Sequence, residues 1–229
     1  MASAVRKREE AEPAASGQNR TEAARPRDPQ ATQARILAAA KAEFAKKGLA
    51  GARVDAIAAK AKINKRMIYH YFHSKDDLFL AVLEEAYGDI RAAERKLDLE
   101  NLDAEAAIAK LATFTWTYYL KNPEFLRLIN SENLHKAAHL KRSQKIKEMH
   151  SPFVELIQGI LERGVAEGKF RPGLDADQVY ISMAALGYYY LTNRYTLSVV
   201  YGVDLGTKDA LEKRLAVIVD TVLSYLRKG

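Results

Sequence analysis

The stretch 63–75, INKRMIYHYFHSK, lies across two helix-capping residues, Asn64 and Ser74, and so admits only one short helix, ending near Phe72. Lys65, Arg66, His70 and Lys75 are crowded there against Tyr69, Tyr71 and Phe72. Such a helix must turn an apolar rear to its neighbours. Ile68 and Phe72, four apart, supply it with Ile63, which leaves Lys65, Arg66, Tyr69 and His70 outward.

The flanking pattern sets the surroundings. From Thr32 onward Ile36, Leu37, Ala40 and Phe44 recur at helical spacing, and Gly48 supplies a stop. Val54, Ile57, Ala58 and Ala61 mark a second short helix. Ser74 and Asp77 form a capping box that opens a longer helix, whose apolar face is Leu78, Phe79, Val82, Leu83, Ala86 and Ile90. Short helices joined by a turn of three to four residues have helix-turn-helix geometry.

Longer helices follow. One covers roughly 104–121, and another starts at Pro123 with Asn122 as N-cap. The stretch 137–167 reads as one helix, kinked or interrupted at Pro152. Asp175 and Gln178 open a helix through about Val200, and Thr207 caps a last one to about Arg227. No strand alternation and no internal repeat occurs, so the class is all-α. Three parts are expected: a disordered arm over 1–31, a three-helix helix-turn-helix domain over 32–75, and a larger helical bundle over 76–229 for effector binding and dimerisation.

Charge separates the same parts. Residues 1–31 net +1, residues 32–75 carry ten basic and two acidic groups, net +8, and residues 76–229 net −2. The whole excess sits around the short helices, where a polyanion such as DNA would bind. Zero cysteines exclude disulfides and thiol chemistry and fit a reducing cytoplasmic setting. No apolar run reaches the roughly 18 residues of a membrane span, and no secretory leader is evident. There is no phosphate-cradling glycine loop and no plausible Ser-His-Asp set, so no enzyme is indicated and no cofactor is expected.

The run RVDAIAAKAKINKRMIYHYFHSKDDLFLAVL (53–83) resembles the TetR-type bacterial repressors. The shared features are Ile57-Ala58, Ala61, Ile63-Asn64, and Tyr69, Tyr71, Phe72, Ser74, Lys75 and Leu78 at their offsets. Two positions depart. Lys62 stands where that family usually has Gly, in a turn expected to be left-handed, at a cost of roughly 1 kcal/mol. Arg53 stands where the family often has Thr, losing a compact cap but keeping reach to a phosphate.

The resemblance implies a homodimer on a palindromic double-stranded operator, released by a small-molecule effector. It implies that Lys65, Arg66, Tyr69 and His70 touch the major groove, with Asn64 as helix cap beside them. Arg53, Tyr71 and Lys75 would take the phosphate backbone, Lys62, though a departure from the family, could add a phosphate contact of its own, and Arg66 is the candidate for a bidentate guanine contact. A competing reading is a sequence-indifferent architectural DNA binder, with a steep salt dependence as its signature. The long, weakly acidic second part has no use in that role.

For the larger domain, the resemblance assigns dimerisation to the final two helices, where Leu211, Leu215, Ile218, Val222 and Leu226 form one stripe. It also makes 104–121 a pocket-lining helix, with Phe114, Trp116, Tyr118 and Tyr119. Phe125, Met149, Phe153, Tyr180, Met183, Tyr189, Asn193 and Arg194 could complete a partly apolar cavity. Arg194, a cation in a largely apolar helix, needs a partner: a ligand carboxylate, Glu132 or Asp220. The part beyond residue 100 resembles members that control breakdown of small aromatics or heterocycles, which implies an effector of that kind. Glu132, His135 and His139 fall on one face of a continuous helix and would then suit a metal, though no fourth ligand is identifiable.

Overall fold

The computed structural model describes residues 28–228. Most of the expected arm, residues 1–27, lies outside them. Nine α-helices follow in order: α1 (Pro29–Gly51), α2 (Val54–Ala61), α3 (Lys65–Phe72), α4 (Lys75–Glu94), α5 (Ala104–Lys121), α6 (Pro123–Leu134), α7 (Gln144–Ala166), α8 (Ala176–Tyr201) and α9 (Lys208–Leu226). Among the described residues there is no strand, only one isolated bridge between Phe170 and Arg227. No helix there is long and apolar enough to cross a membrane.

Local chemistry explains most boundaries. Asp28 accepts from the Gln30 N–H at 2.9 Å, so α1 starts three residues before the expected Thr32. Asn64, Ser74, Asp103, Asp175 and Thr207 each accept a backbone N–H in the first turn of the helix that follows. Gly48, expected as a stop, is instead a kink at φ 66°, after which the helix resumes for one short turn.

Two expectations are corrected. Asn122 stands at the N-cap of α6, ahead of Pro123 as expected, but its side chain makes no cap: its amide donates back to Tyr118 O at 2.9 Å, across the end of α5. The stretch 137–143 is not the start of α7. The helix before it ends at Leu134, Lys136 and Ala137 take positive φ, and α7 begins at Gln144, running through Pro152 unbroken.

Two apolar cores result. The first joins α1–α4 through Ile36, Phe44, Ile57, Ile68, Phe79 and Ile90, and it continues into Tyr119, Phe125, Leu126 and Leu128 of α5 and α6. Phe44 and Phe79 meet edge to face at 5.0 Å. The second joins α5, α7, α8 and α9 through Leu111, Trp116, Phe153, Ile157, Met183, Ile218, Val222 and Leu226. Gly164 of α7 is required by it, because a Cβ there would stand 2.0 Å from the ring of buried Phe170.

The stripe expected for dimerisation therefore points the other way. Ile218, Val222 and Leu226 are buried in the subunit's own core, with Leu211 and Leu215 half-buried beside them. On these two helices the large apolar groups left outside, among the described residues, are Ile181, Tyr189, Tyr195, Val199, Val200 and Tyr201 of α8, and Val217 and Tyr225 of α9.

Candidate DNA-reading surface and ligand cavity

The turn between α2 and α3 is closed by a Schellman motif. Lys62 N–H reaches Ala59 O and Ile63 N–H reaches Ala58 O, both at 3.1 Å. That geometry puts Lys62 at φ 54°, ψ 49°, the left-handed conformation anticipated for it. Asn64 Oδ1 then accepts from Arg66 N–H at 2.8 Å and starts α3. Ile68 is fully buried, while Lys65, Arg66, Tyr69 and His70 are exposed.

The outward residues differ in their readiness for DNA. Lys65 Nζ sits 2.9 Å from Asp55 Oδ1, and that hydrogen bond holds its ammonium pKa above the ordinary range. Arg66 makes no ion pair among the described residues. Arg53 is exposed at the N-cap of α2, its N–H turned to Glu43 Oε1 at 3.4 Å. Lys75 Nζ reaches Ala50 O at 3.4 Å, tying the start of α4 to the α1–α2 corner. Tyr71 is half-buried, its ring 5.2 Å from His70 and 6.4 Å from Phe72.

A groove of about 470 Å³ between α1 and the turn adds residues that the motif did not suggest. Thr32 and Arg35 line it opposite Lys62 and Asn64, with Arg35 Nη2 3.4 Å from Thr32 Oγ1. Arg35 shares one edge with Lys62, which suits a phosphate. The junction after α3 was also missed. His73 lies at φ 58°, ψ −51°, in a tight turn that is strained for any residue with a Cβ.

The effector residues expected from sequence divide into three groups. Met149 and Phe153 line a cavity of about 280 Å³ between α4 and α7, with Arg91, Glu94, Arg95, Lys145, Glu148, Pro152 and Leu156. Tyr180 stands behind it: its hydroxyl accepts from Arg91 Nη2 at 3.0 Å, and its ring meets Phe153 at 4.8 Å. Tyr119 and Arg194 belong to a separate cavity of about 190 Å³, with Leu126, Arg127, Asn130 and Tyr195. Trp116, Phe125 and Met183 are buried core, Tyr189 is exposed, and Asn193 donates to its own helix at Tyr189 O. These last five do not converge on either space.

Arg194 is paired with neither Glu132 nor Asp220. Its Nη2 donates to Tyr195 Oη at 2.8 Å, and it lies over that ring. The buried cation is Arg91, 5% exposed, which was not anticipated. Its Nη1 donates to Glu94 Oε2 at 2.6 Å, and its guanidinium lies 4.0 Å from the Phe153 ring centroid. Burial outweighs the attraction of Arg91 and raises the Glu94 pKa to about 7.

The single helix face that Glu132, His135 and His139 would need to hold a metal is not formed. Glu132 is buried, and Oε1 accepts the N–H groups of His139 and Leu140 at 2.8 and 3.0 Å. Its Oε2 is 2.7 Å from His139 Nδ1, while His135 Nδ1 turns to Ser131 O. With α6 ended at Leu134, the three side chains share no helix face, and no metal-competent cluster of His and acids occurs among the described residues. Glu132 instead holds the α6–α7 segment, which clamps the DNA-reading part. Ser131 Oγ accepts Leu49 N–H at 3.1 Å, Arg142 pairs with Asp77, and Ser143 Oγ donates to Glu84 at 2.6 Å. Ser74 and Arg142 together hold the Asp77 carboxyl below its ordinary range.

Comparison with known proteins agrees with this architecture. Residues 36–82 match the model for bacterial regulatory proteins of the tetR family, and 105–222 match the tetracyclin repressor-like C-terminal domain. The chain is 41% identical over 197 residues to the HTH-type transcriptional repressor NicS of Pseudomonas putida, covering 86% of this chain and 93% of that one. It is 34% identical to the HTH-type transcriptional repressor SCO4008 of Streptomyces coelicolor, covering 85% and 98%. The solved structure of the regulator SCO4942 from Streptomyces coelicolor superposes with a TM-score of 0.64 at 25% identity, covering 86% and 99%. A helix-turn-helix with a cationic outward face, carried on an all-helical body, is thus accounted for: the chain belongs to the TetR family of bacterial transcriptional regulators.

Proposed function

We propose that this regulator is a repressor that binds a palindromic operator as a homodimer and is released by a small molecule, aromatic or heterocyclic, seated between α4 and α7. One observation carries the reading. The single helix α4, 20 residues and so about 30 Å long, abuts the recognition helix at Lys75 and walls the cavity at Arg91 and Glu94. A ligand that prefers one setting of α4 thereby biases the placement of α3, and its leverage equals its difference in affinity between the two settings.

Within that reading Arg66 reads a base edge, Lys65, Tyr69 and His70 share the groove face, and Arg53, Lys62, Tyr71, Lys75 and Arg35 hold phosphates. The exposed apolar groups of α8 and α9 are the dimer face, since these two helices pack on each other and carry most of the large exposed hydrophobics among the described residues. The two half-sites then lie about 34–36 Å apart.

The test pairs a genome-wide selection for bound DNA with sedimentation of the purified protein. A palindromic consensus and a dimer support the reading. A folded protein that selects no consensus sinks it and leaves the architectural binder.

A further inference from the structure

Glu94 and Arg91 make an unequal pair, and the inequality says what the cavity between α4 and α7 takes. This step rests on that cavity being the effector site. Arg91 is engaged on three sides: Nη1 on Glu94, Nη2 on Tyr180, its face on Phe153. Glu94, 2% exposed, spends Oε2 on Arg91, and its Oε1 is buried with no hydrogen-bond partner. A buried acceptor without a donor is costly, and a group that supplies the donor recovers the cost.

Glu94 lines two neighbouring cavities, which have room for such a group. The 280 Å³ cavity adjoins a second of about 380 Å³, and both are walled by Glu94, Arg95, Pro152 and Leu156. Met149, Pro152, Phe153 and Leu156 make one side apolar. Arg91 is no vacant anchor for an anion, because its charge is already met at 2.6 Å. The cations nearer the outside, Arg95 and Lys145, are exposed, and Lys145 is shared with Glu84.

We infer that the effector is a small, mostly apolar molecule whose polar edge presents an N–H or O–H donor to Glu94 Oε1, rather than a carboxylate that depends on Arg91. An amide, an amidine or a phenol satisfies this. A simple carboxylate ion offers acceptors only and meets Glu94 with repulsion once that carboxyl is ionised, above about pH 7.

Three single-ring probes of one shape separate the classes: benzamide, benzamidine and benzoate, titrated calorimetrically into the intact protein well above pH 7, where Glu94 is ionised. Benzamide and benzamidine should each bind at least about tenfold tighter than benzoate, the effect of satisfying one buried acceptor. Glu94→Gln, which replaces one acceptor by an amide donor, should narrow or reverse that ratio; the wild-type ratio alone decides the matter if this variant does not fold. Benzoate binding as well as benzamide, or no probe binding at all, overturns the donor assignment. The cavity reading is judged separately with Leu156→Trp, which fills the space. Changed operator affinity, or loss of whichever probe bound, upholds the cavity even if the donor assignment falls; if neither follows, the cavity reading itself fails.

Discussion

Lys65 Nζ lies 2.9 Å from Asp55 Oδ1, a contact between the first residue of the recognition helix and the first turn of the helix before it. On the proposed assignment, one cation of the DNA-facing surface is thus occupied before DNA arrives. Asp55→Asn should raise affinity for operator and random DNA alike. It should also steepen the plot of log affinity against log salt by roughly 0.9, the counterion release of one more cation brought against the duplex. Anisotropy titrations at several salt concentrations would show this; an unaltered affinity and slope would mean that Asp55 does not withhold Lys65 from DNA.

Arg66 and Lys75 should separate by role. Arg66→Ala should cost roughly 1–3 kcal/mol on the operator and little on random DNA, because a lost base contact removes discrimination. Lys75→Ala should weaken both by a similar factor. Parallel titrations on the two DNAs check the assignment, and equal losses from both variants would contradict it.

The buried carboxyl of Glu94 predicts a pH signature. Its folded pKa, about 7, is above the unfolded one, so the folded state binds the proton more tightly. The stabilisation is complete below the unfolded value and fades as pH rises through about 7. Its size is bounded by roughly 3 kcal/mol. Denaturant melts from pH 4.5 to 8 should show wild-type stability falling relative to Glu94→Gln across that window. The variant also leaves Arg91 without its counter-ion, so the difference in slope is the readout, not absolute stability.

Gly164 should tolerate no side chain. Gly164→Ala forces the Phe170 ring to move and should cost roughly 1–3 kcal/mol by chemical denaturation. The double variant Gly164→Ala/Phe170→Leu should recover part of that loss, and strict additivity would show that the ring is not the obstacle.

What could be read from sequence followed the range of the forces involved. Asn64, Ser74, Asp175 and Thr207 cap helices through groups three residues away or closer, so local pattern sufficed for them and for the outward face of α3. The break at 135–143 was hidden, because two non-glycine residues take positive φ there under the hold of the Glu132 carboxylate. The stripe on α9 was visible, but periodicity says only that a face is apolar, not which neighbour it meets. Arg91 and Glu94, three residues apart, were not singled out from the sequence. Their clue was position: they extend the line of Leu83, Tyr87 and Ile90 along the buried side of α4.

The first apolar core does not stop at residue 75. Phe125, Leu126 and Leu128 of α6 complete the packing around Ile36, Phe44 and Phe79, and Leu49 leans on Ser131 through its amide. A chimera that grafts this reading head onto a relative's sensor therefore has to carry α4 and the inward side of α6 with it. Modularity in such regulators, on this architecture, resides in a seam that crosses the chain several times, not in a single cut.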